Sequence, residues 1–251
     1  MVDLHCHILP GIDDGAKILQ DSIELLKLEK AQGVRSVALT SHFNIETTSI
    51  DEFCSLRNDS LELLKSADEF SEIGITVKTG AEVYYSPKLY NAELAPLCIE
   101  DTDYILIELP VSSMPYELSN VLQNILSCGY IPILAHIERY KYFAENPLLL
   151  YELIIDGCLA QINAKSIIGG GNISAISMKY LKWGLAQIIC SDCHSVEHRS
   201  PNTEEALNQI ARKLGNDYSQ WIKKNCNDIF NNKNVDLSSI QKPKKMFGFW
   251  K

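Results

Sequence analysis

Five glycines, Gly33, Gly74, Gly129, Gly157 and Gly184, each close an amphipathic stretch and stand directly before an apolar one. A helix that ends in a left-handed residue favours glycine there, because glycine has no Cβ to clash, and the next strand begins at once. This repeated helix-to-strand joint restricts the chain to α/β architectures. The predicted strands are residues 2–6, 35–40, 75–81, 103–109, 131–136, 159–163 and 186–191. Most are nearly unbroken apolar runs, such as Tyr104-Ile105-Leu106-Ile107, as expected of a parallel sheet covered on both faces. Amphipathic stretches at 19–32, 50–72, 117–128, 147–156, 172–182 and 204–214 read as helices, with Asn146-Pro147 as a start and Gly157 as a stop. Seven β/α units favour a barrel over an open doubly wound sheet, which is the alternative.

At 251 residues the chain is long enough for one sizeable core, and barrels of this length are commonly one domain. No window is apolar enough to span a membrane, and the chain enters its first strand without the basic and apolar regions of a signal peptide, so a cytoplasmic protein is expected. A formal charge of -9 argues against a general nucleic-acid surface. The eight cysteines lack paired zinc-type spacing and mostly sit in apolar runs, as small buried hydrophobes in a reducing compartment do. We divide the chain into a domain of residues 1–230 and a tail of 231–251. The tail ends Lys242-Pro243-Lys244-Lys245-Met246-Phe247-Gly248-Phe249-Trp250-Lys251. Its lysines and aromatics could touch an anionic membrane, but packing on its own domain or fraying is the expectation.

Barrel enzymes build their sites at the C-terminal ends of the strands. There the chain places His5 and His7, then His42, Glu82, Glu108, His136, and Asp192 with His194, while Asp14 lies in the loop after the first strand. His5 and His7 are two apart on a strand and share a face. Taken singly, each residue could be an ordinary hydrogen-bonded histidine or a capping acid. Together, five imidazoles and four carboxylates on one rim would be costly without bound cations. Mixed nitrogen and oxygen ligation without thiolates favours manganese, iron or zinc over magnesium or calcium, and nine ligands suit two or three ions.

These residues resemble the ligand set of the PHP superfamily, named for polymerase and histidinol phosphatase. Within it, LHCHILPGIDDG, TGAEV, YILIELP, IPILAHIERY and SDCHSVEHR resemble the CpsB/YwqE-type bacterial protein-tyrosine phosphatases of capsule and exopolysaccharide synthesis. The resemblance implies a distorted (β/α)7 TIM-like barrel and a metal site, usually manganese. One ion would take His5, His7, Glu82 and Asp192, a second Glu82, Glu108 and His136, and a third Asp14, His42 and His194. It also implies that Arg139 and Arg199 hold the phosphate, and that the partner is the phosphotyrosine tail of a bacterial tyrosine kinase. The chain departs from the family pattern at Ser41, Phe43, Ile137 and Ser200-Pro201, none of them an implied ligand.

The expected reaction is phosphomonoester hydrolysis by metal-activated water. A histidinol-phosphatase-like activity or a phosphodiesterase on the same fold is the runner-up, and an inert phosphotyrosine-binding module is the alternative of another class. Cys193 to Ser200 also fits the C-x5-R-S spacing of cysteine-dependent phosphatases, but this loop lacks the glycines that bring backbone amides to a phosphate. Cys193 therefore reads as packing.

Overall fold

The computed structural model describes residues 1–246 and 249–250. In chain order the elements are β1 (Val2–Cys6), α1 (Leu19–Ala31), β2 (Ser36–Leu39), β3 (His42–Phe43), α2 (Ile50–Lys65), α3 (Asp68–Ile73), β4 (Thr76–Thr79), β5 (Glu82–Tyr84), β6 (Tyr104–Glu108) and α4 (Leu118–Ser127). There follow β7 (Ile131–Leu134), α5 (Lys141–Glu145), α6 (Pro147–Ile155), β8 (Leu159–Asn163), α7 (Ala164–Ile168), α8 (Gly171–Lys182), β9 (Ile188–Cys190), α9 (Thr203–Leu214) and α10 (Asn216–Phe230). A short antiparallel pair, β10 (Lys245–Met246) and β11 (Phe249–Trp250), ends the described chain.

The fold is mixed α/β, with parallel strands in a curled sheet. Two stretches carry it, in the orders β1-β2-β4 and β3-β5-β6-β7-β8-β9. Backbone bonds continue past the named strands: Asp192 N donates to His5 O and His7 N to Cys193 O, both at 2.9 Å. The interior is what the apolar runs require, with Leu4, Leu106, Leu134, Ile162 and Ile189 at most 1% exposed. The five joint glycines have φ between 66 and 120°.

Two predicted strands are bent rather than continuous. Residues 35–40 become β2, which then gives way at Thr40-Ser41 to β3, and residues 75–81 become β4, which gives way at Gly80-Ala81 to β5. The breaks lie side by side, since a Cβ on Gly80 would stand 3.3 Å from Thr40 Cγ2. Each bend re-aims the chain so that His42 and Glu82 open the new segments as register partners. The predicted helix 50–72 likewise divides at Ser66-Ala67 into α2 and α3.

Helices α5, α7 and α10 were not expected. The first two are five residues each, too short for a 3.6-residue period to show. In α10 the asparagine-rich composition masks an amphipathic face of Ile222, Cys226, Ile229 and Phe230, all buried, and Asn225 Nδ2 donates to Gln187 O at 3.1 Å. The described part of the tail lies on its own chain. Tyr104 Oη donates to Lys233 O (2.7 Å), Gln241 N to Trp183 O (2.8 Å) and Trp250 Nε1 to Glu145 O (2.9 Å). Phe247, Gly248 and Lys251 of the basic aromatic stretch lie outside the described residues. Among the described residues, no helix is long and apolar enough to cross a membrane.

Candidate metal centre

The strand ends place the nine candidate ligands on one rim. His5 and His7 leave β1 with both rings fully buried, Glu108 ends β6, His136 follows β7 by two residues, and Asp192 and His194 follow β9. His136 and Asp192 have positive φ, 33° and 52°, a backbone state that costs a non-glycine residue energy and is concentrated at functional sites. Asp14, in the loop after β1, is the most exposed of the set, with 63% of its side chain open to solvent.

Four candidate ligand atoms converge at the centre. His5 Nε2 and His7 Nε2 are 3.2 Å apart, Glu82 Oε2 is 3.2 Å from each, and Asp192 Oδ1 is 3.4 and 3.6 Å from them. Around them, His136 Nε2 stands 2.9 Å from Glu82 Oε1 and 3.5 Å from Glu108 Oε1. Asp14 Oδ1 is 3.4 Å from His42 Nε2 and 3.3 Å from His194 Nε2. His42 also turns Nδ1 to Glu82 Oε2 at 3.0 Å, so it groups with Glu82 and Glu108 as well as with Asp14.

This donor set fits divalent cations. Ligands about 2.1 Å from a common ion are about 3.0–3.4 Å from one another, close to the 3.2–3.6 Å found here. Glu82 Oε2, Asp192 Oδ1 and His194 Nε2 are buried without a hydrogen-bond partner. Positive charge must balance such a cluster, as protons or as metal. Burial opposes ionisation of Glu82, yet the imidazoles of His5, His136 and His42 hold it well below the usual carboxylate range. Burial likewise opposes protonation of His7, but its bond to Asp13 and the nearby Glu82 carboxylate push it up to about 10, whereas burial and neighbouring His7 bring His194 down to about 4.

Residues outside the sequence-based set orient the ligands. His7 Nδ1 donates to Asp13 Oδ2 (2.7 Å), which also accepts from His42 N (2.9 Å). His5 Nδ1 donates to Gln161 Oε1 (3.3 Å), which accepts from His136 N (2.7 Å). Gln161 Nε2 donates to Asn163 Oδ1 (2.7 Å), and Asn163 Nδ2 to Asp192 Oδ2 (2.6 Å). With Nδ1 committed to Gln161 and Asp13, His5 and His7 present Nε2 to the centre, the tautomer a metal ligand needs. β8 carries none of the nine candidates but supplies this brace. The available signal was two amides, Gln161 and Asn163, spaced i, i+2 in an otherwise apolar run. Asp13 was hidden beside Asp14, because sequence alone does not say which carboxylate faces a ligand.

Arg139 and Arg199 reach the rim from the Asp192 side, with guanidinium nitrogens 2.9 and 2.8 Å from Asp192 Oδ2. They line a cavity of about 280 Å³ together with Lys165. Cys193 is fully buried and turns its Sγ to Glu29 Oε1 at 3.6 Å, with Ser191 Oγ accepting from its backbone amide, so it lies under no phosphate cradle.

The family described as capsular polysaccharide synthesis, CpsB/CapC, matches residues 1–231. The tyrosine-protein phosphatase YwqE of Bacillus subtilis is 32% identical over the whole of both chains, and the tyrosine-protein phosphatase CpsB of Streptococcus pneumoniae is 32% identical over 86% of this chain and 91% of its own. A crystal structure from work on those two metal-dependent tyrosine phosphatases superimposes with a TM-score of 0.85 and 30% identity, covering 98% of this chain and all of the other. The chain belongs to the CpsB/CapC family of capsular polysaccharide synthesis.

Proposed function

We propose that the protein is a metal-dependent protein-tyrosine phosphatase whose site is the rim cluster, within a catalytic unit of residues 1–230. The observation that carries this is the convergence of His5, His7, Glu82 and Asp192 on one point, with buried acceptor atoms left without hydrogen-bond partners. His5, His7, Glu82 and Asp192 would hold one divalent ion, Glu82, Glu108 and His136 a second, and Asp14, His42 and His194 a third, manganese fitting the mixed donors, with iron or zinc as alternatives. When bound, such ions acidify water and neutralise phosphoryl oxygens. The chain's own residues do the rest. Asp13, Gln161 and Asn163 fix the ligand orientations, and Arg139 and Arg199 present planar guanidinium forks to the phosphate. A tyrosine phenolate, with an ordinary pKa near 10, leaves without a strong general acid.

We read the sheet as a distorted (β/α)7 barrel in which β2–β3 and β4–β5 each count as one bent strand. The bonds joining His5 and His7 to Asp192 and Cys193 support closure. The physiological partner in this reading is the tyrosine-rich tail of a bacterial tyrosine kinase in the cytoplasm, a flexible segment that enters the rim one phosphotyrosine at a time.

Hydrolysis of a phosphotyrosine peptide tests the function. Activity should vanish on chelation, return with manganese, be lost in His136→Ala and survive in Cys193→Ser. Full activity in metal-free protein would end the proposal.

A further inference from the structure

We propose that the cavity beside His42 and Glu108 seats the aromatic ring of the substrate, with Tyr84 as its specificity-determining wall. This rests on the phosphatase reading above. Two cavities flank the ligand cluster and share no lining residue. The first is cationic, with Arg139, Arg199 and Lys165. The second, of about 350 Å³, has no lysine or arginine among its lining residues; Ile12, Phe43, Thr48 and Tyr84 line it beside His42 and Glu108.

A phosphomonoester has two chemically different ends. Its charged oxygens belong with the arginines and the ligand cluster. The ester oxygen then leads the organic group away from the cationic side, into a cavity whose lining offers no lysine or arginine to hold a phosphate and has room for a ring. That cavity has the size of a small-molecule site, and Ile12, Phe43, Phe53 and Tyr84 give it an apolar, aromatic side among polar lining residues such as Asp13, Asn44 and Thr47.

Register places Tyr84 for this role. It follows Glu82 by two residues on β5, so both side chains point to the same face, and it is the β-ladder partner of Glu108 on β6. Glu82 is buried among the ligands while Tyr84, one step nearer the mouth, is 36% exposed. Phe43 is held beneath by Phe53, their ring centroids 5.0 Å apart. A partly exposed aromatic directly above a ligand cluster gains from being covered by a second ring. An alkyl phosphate offers no such cover, so the cavity would favour aryl over alkyl phosphomonoesters.

Calorimetric titration of the manganese-loaded full chain with phenylphosphonate and with methylphosphonate tests this without turnover. The wild type should bind phenylphosphonate several-fold more tightly. Tyr84→Ala should bring the ratio of the two affinities down by about two- to tenfold, the scale of an aromatic pair, and Tyr84→Phe should keep it. A wild type without phenyl preference, a ratio that survives Tyr84→Ala, or a Tyr84→Phe that loses as much as the alanine variant would overturn the ring seat. Turnover of a phosphotyrosine peptide by the same preparation tells failure of the seat from failure of the phosphatase reading.

Discussion

A metal ligand is defined as much by what holds its far side as by its own identity. His7 is fully buried, and Asp13 accepts a hydrogen bond from its Nδ1 and another from the His42 amide. One carboxylate therefore sets a ring tautomer and the start of β3 together. Asp13→Asn keeps the size but weakens the acceptor, and its amide can turn a donor towards His7 Nδ1. We expect manganese affinity to fall about 10- to 100-fold, the usual cost of losing such a partner, with little loss of helical or strand content. Titration of manganese by electron paramagnetic resonance measures it, and unchanged affinity would show that His7 does not need this brace. Gly15 belongs to the same loop. A Cβ there would come within 2.2 Å of His7 O, so only glycine lets the loop close over His7.

At the scale of elements, α1 lays a carboxyl against the strand ends. Glu29 is fully buried, its Oε1 accepts from Ser191 Oγ at 3.1 Å, and Oε2 has no partner. Burial above all, then Asp3 and Cys193, pushes its carboxyl well above the ordinary value of 4.5. The folded chain thus keeps a proton that the unfolded chain releases as pH rises past that value. The fold loses stability with rising pH until Glu29 itself ionises. Glu29→Gln removes the effect while keeping the shape. Denaturant unfolding should show the variant gaining stability on the wild type as the pH is raised from 4.5 to 8. A difference that does not change with pH would refute the assignment. Element identity was largely legible beforehand, because Tyr104 to Ile107 or the helix from Pro147 carry their pattern within a few residues. The bends at Thr40-Ser41 and Gly80-Ala81 were not, since each depends on the strand beside it. Helix α10 escaped because its buried face includes Asn225, whose Nδ2 finds its acceptor in Gln187 O of a distant segment.

Across the whole molecule, the cluster joins β1, the segments after β2 and β4, β6, and the loops after β7 and β9. Cations at this point would act as a cross-link between segments nearly two hundred residues apart. Anything that binds only the folded chain stabilises it, by about 2.7 kcal/mol per site at a hundred times its dissociation constant. Chelation should therefore lower the melting temperature by about 5–10 °C for a chain of this length, and manganese should restore it in a concentration-dependent way. A melting temperature indifferent to chelator would mean that the cluster is balanced by protons instead. The lysines and aromatics of the tail showed only that a composition shift occurs. Their described contacts, such as Trp250 Nε1 to Glu145 O, depend on a surface that exists only once the helices have docked.

Local pattern by itself determined where strands and helices alternate and which polar side chains stand at strand ends, because periodicity and glycine placement are properties of near neighbours. Only the tertiary structure decided which of those ends meet, that Gln161, Asn163 and Asp13 turn the rings, and that a cavity walled in part by Phe43 and Tyr84 adjoins the cluster. Those outcomes depend on the bending and curling of the sheet, a sum over all its strands that no single stretch of sequence carries.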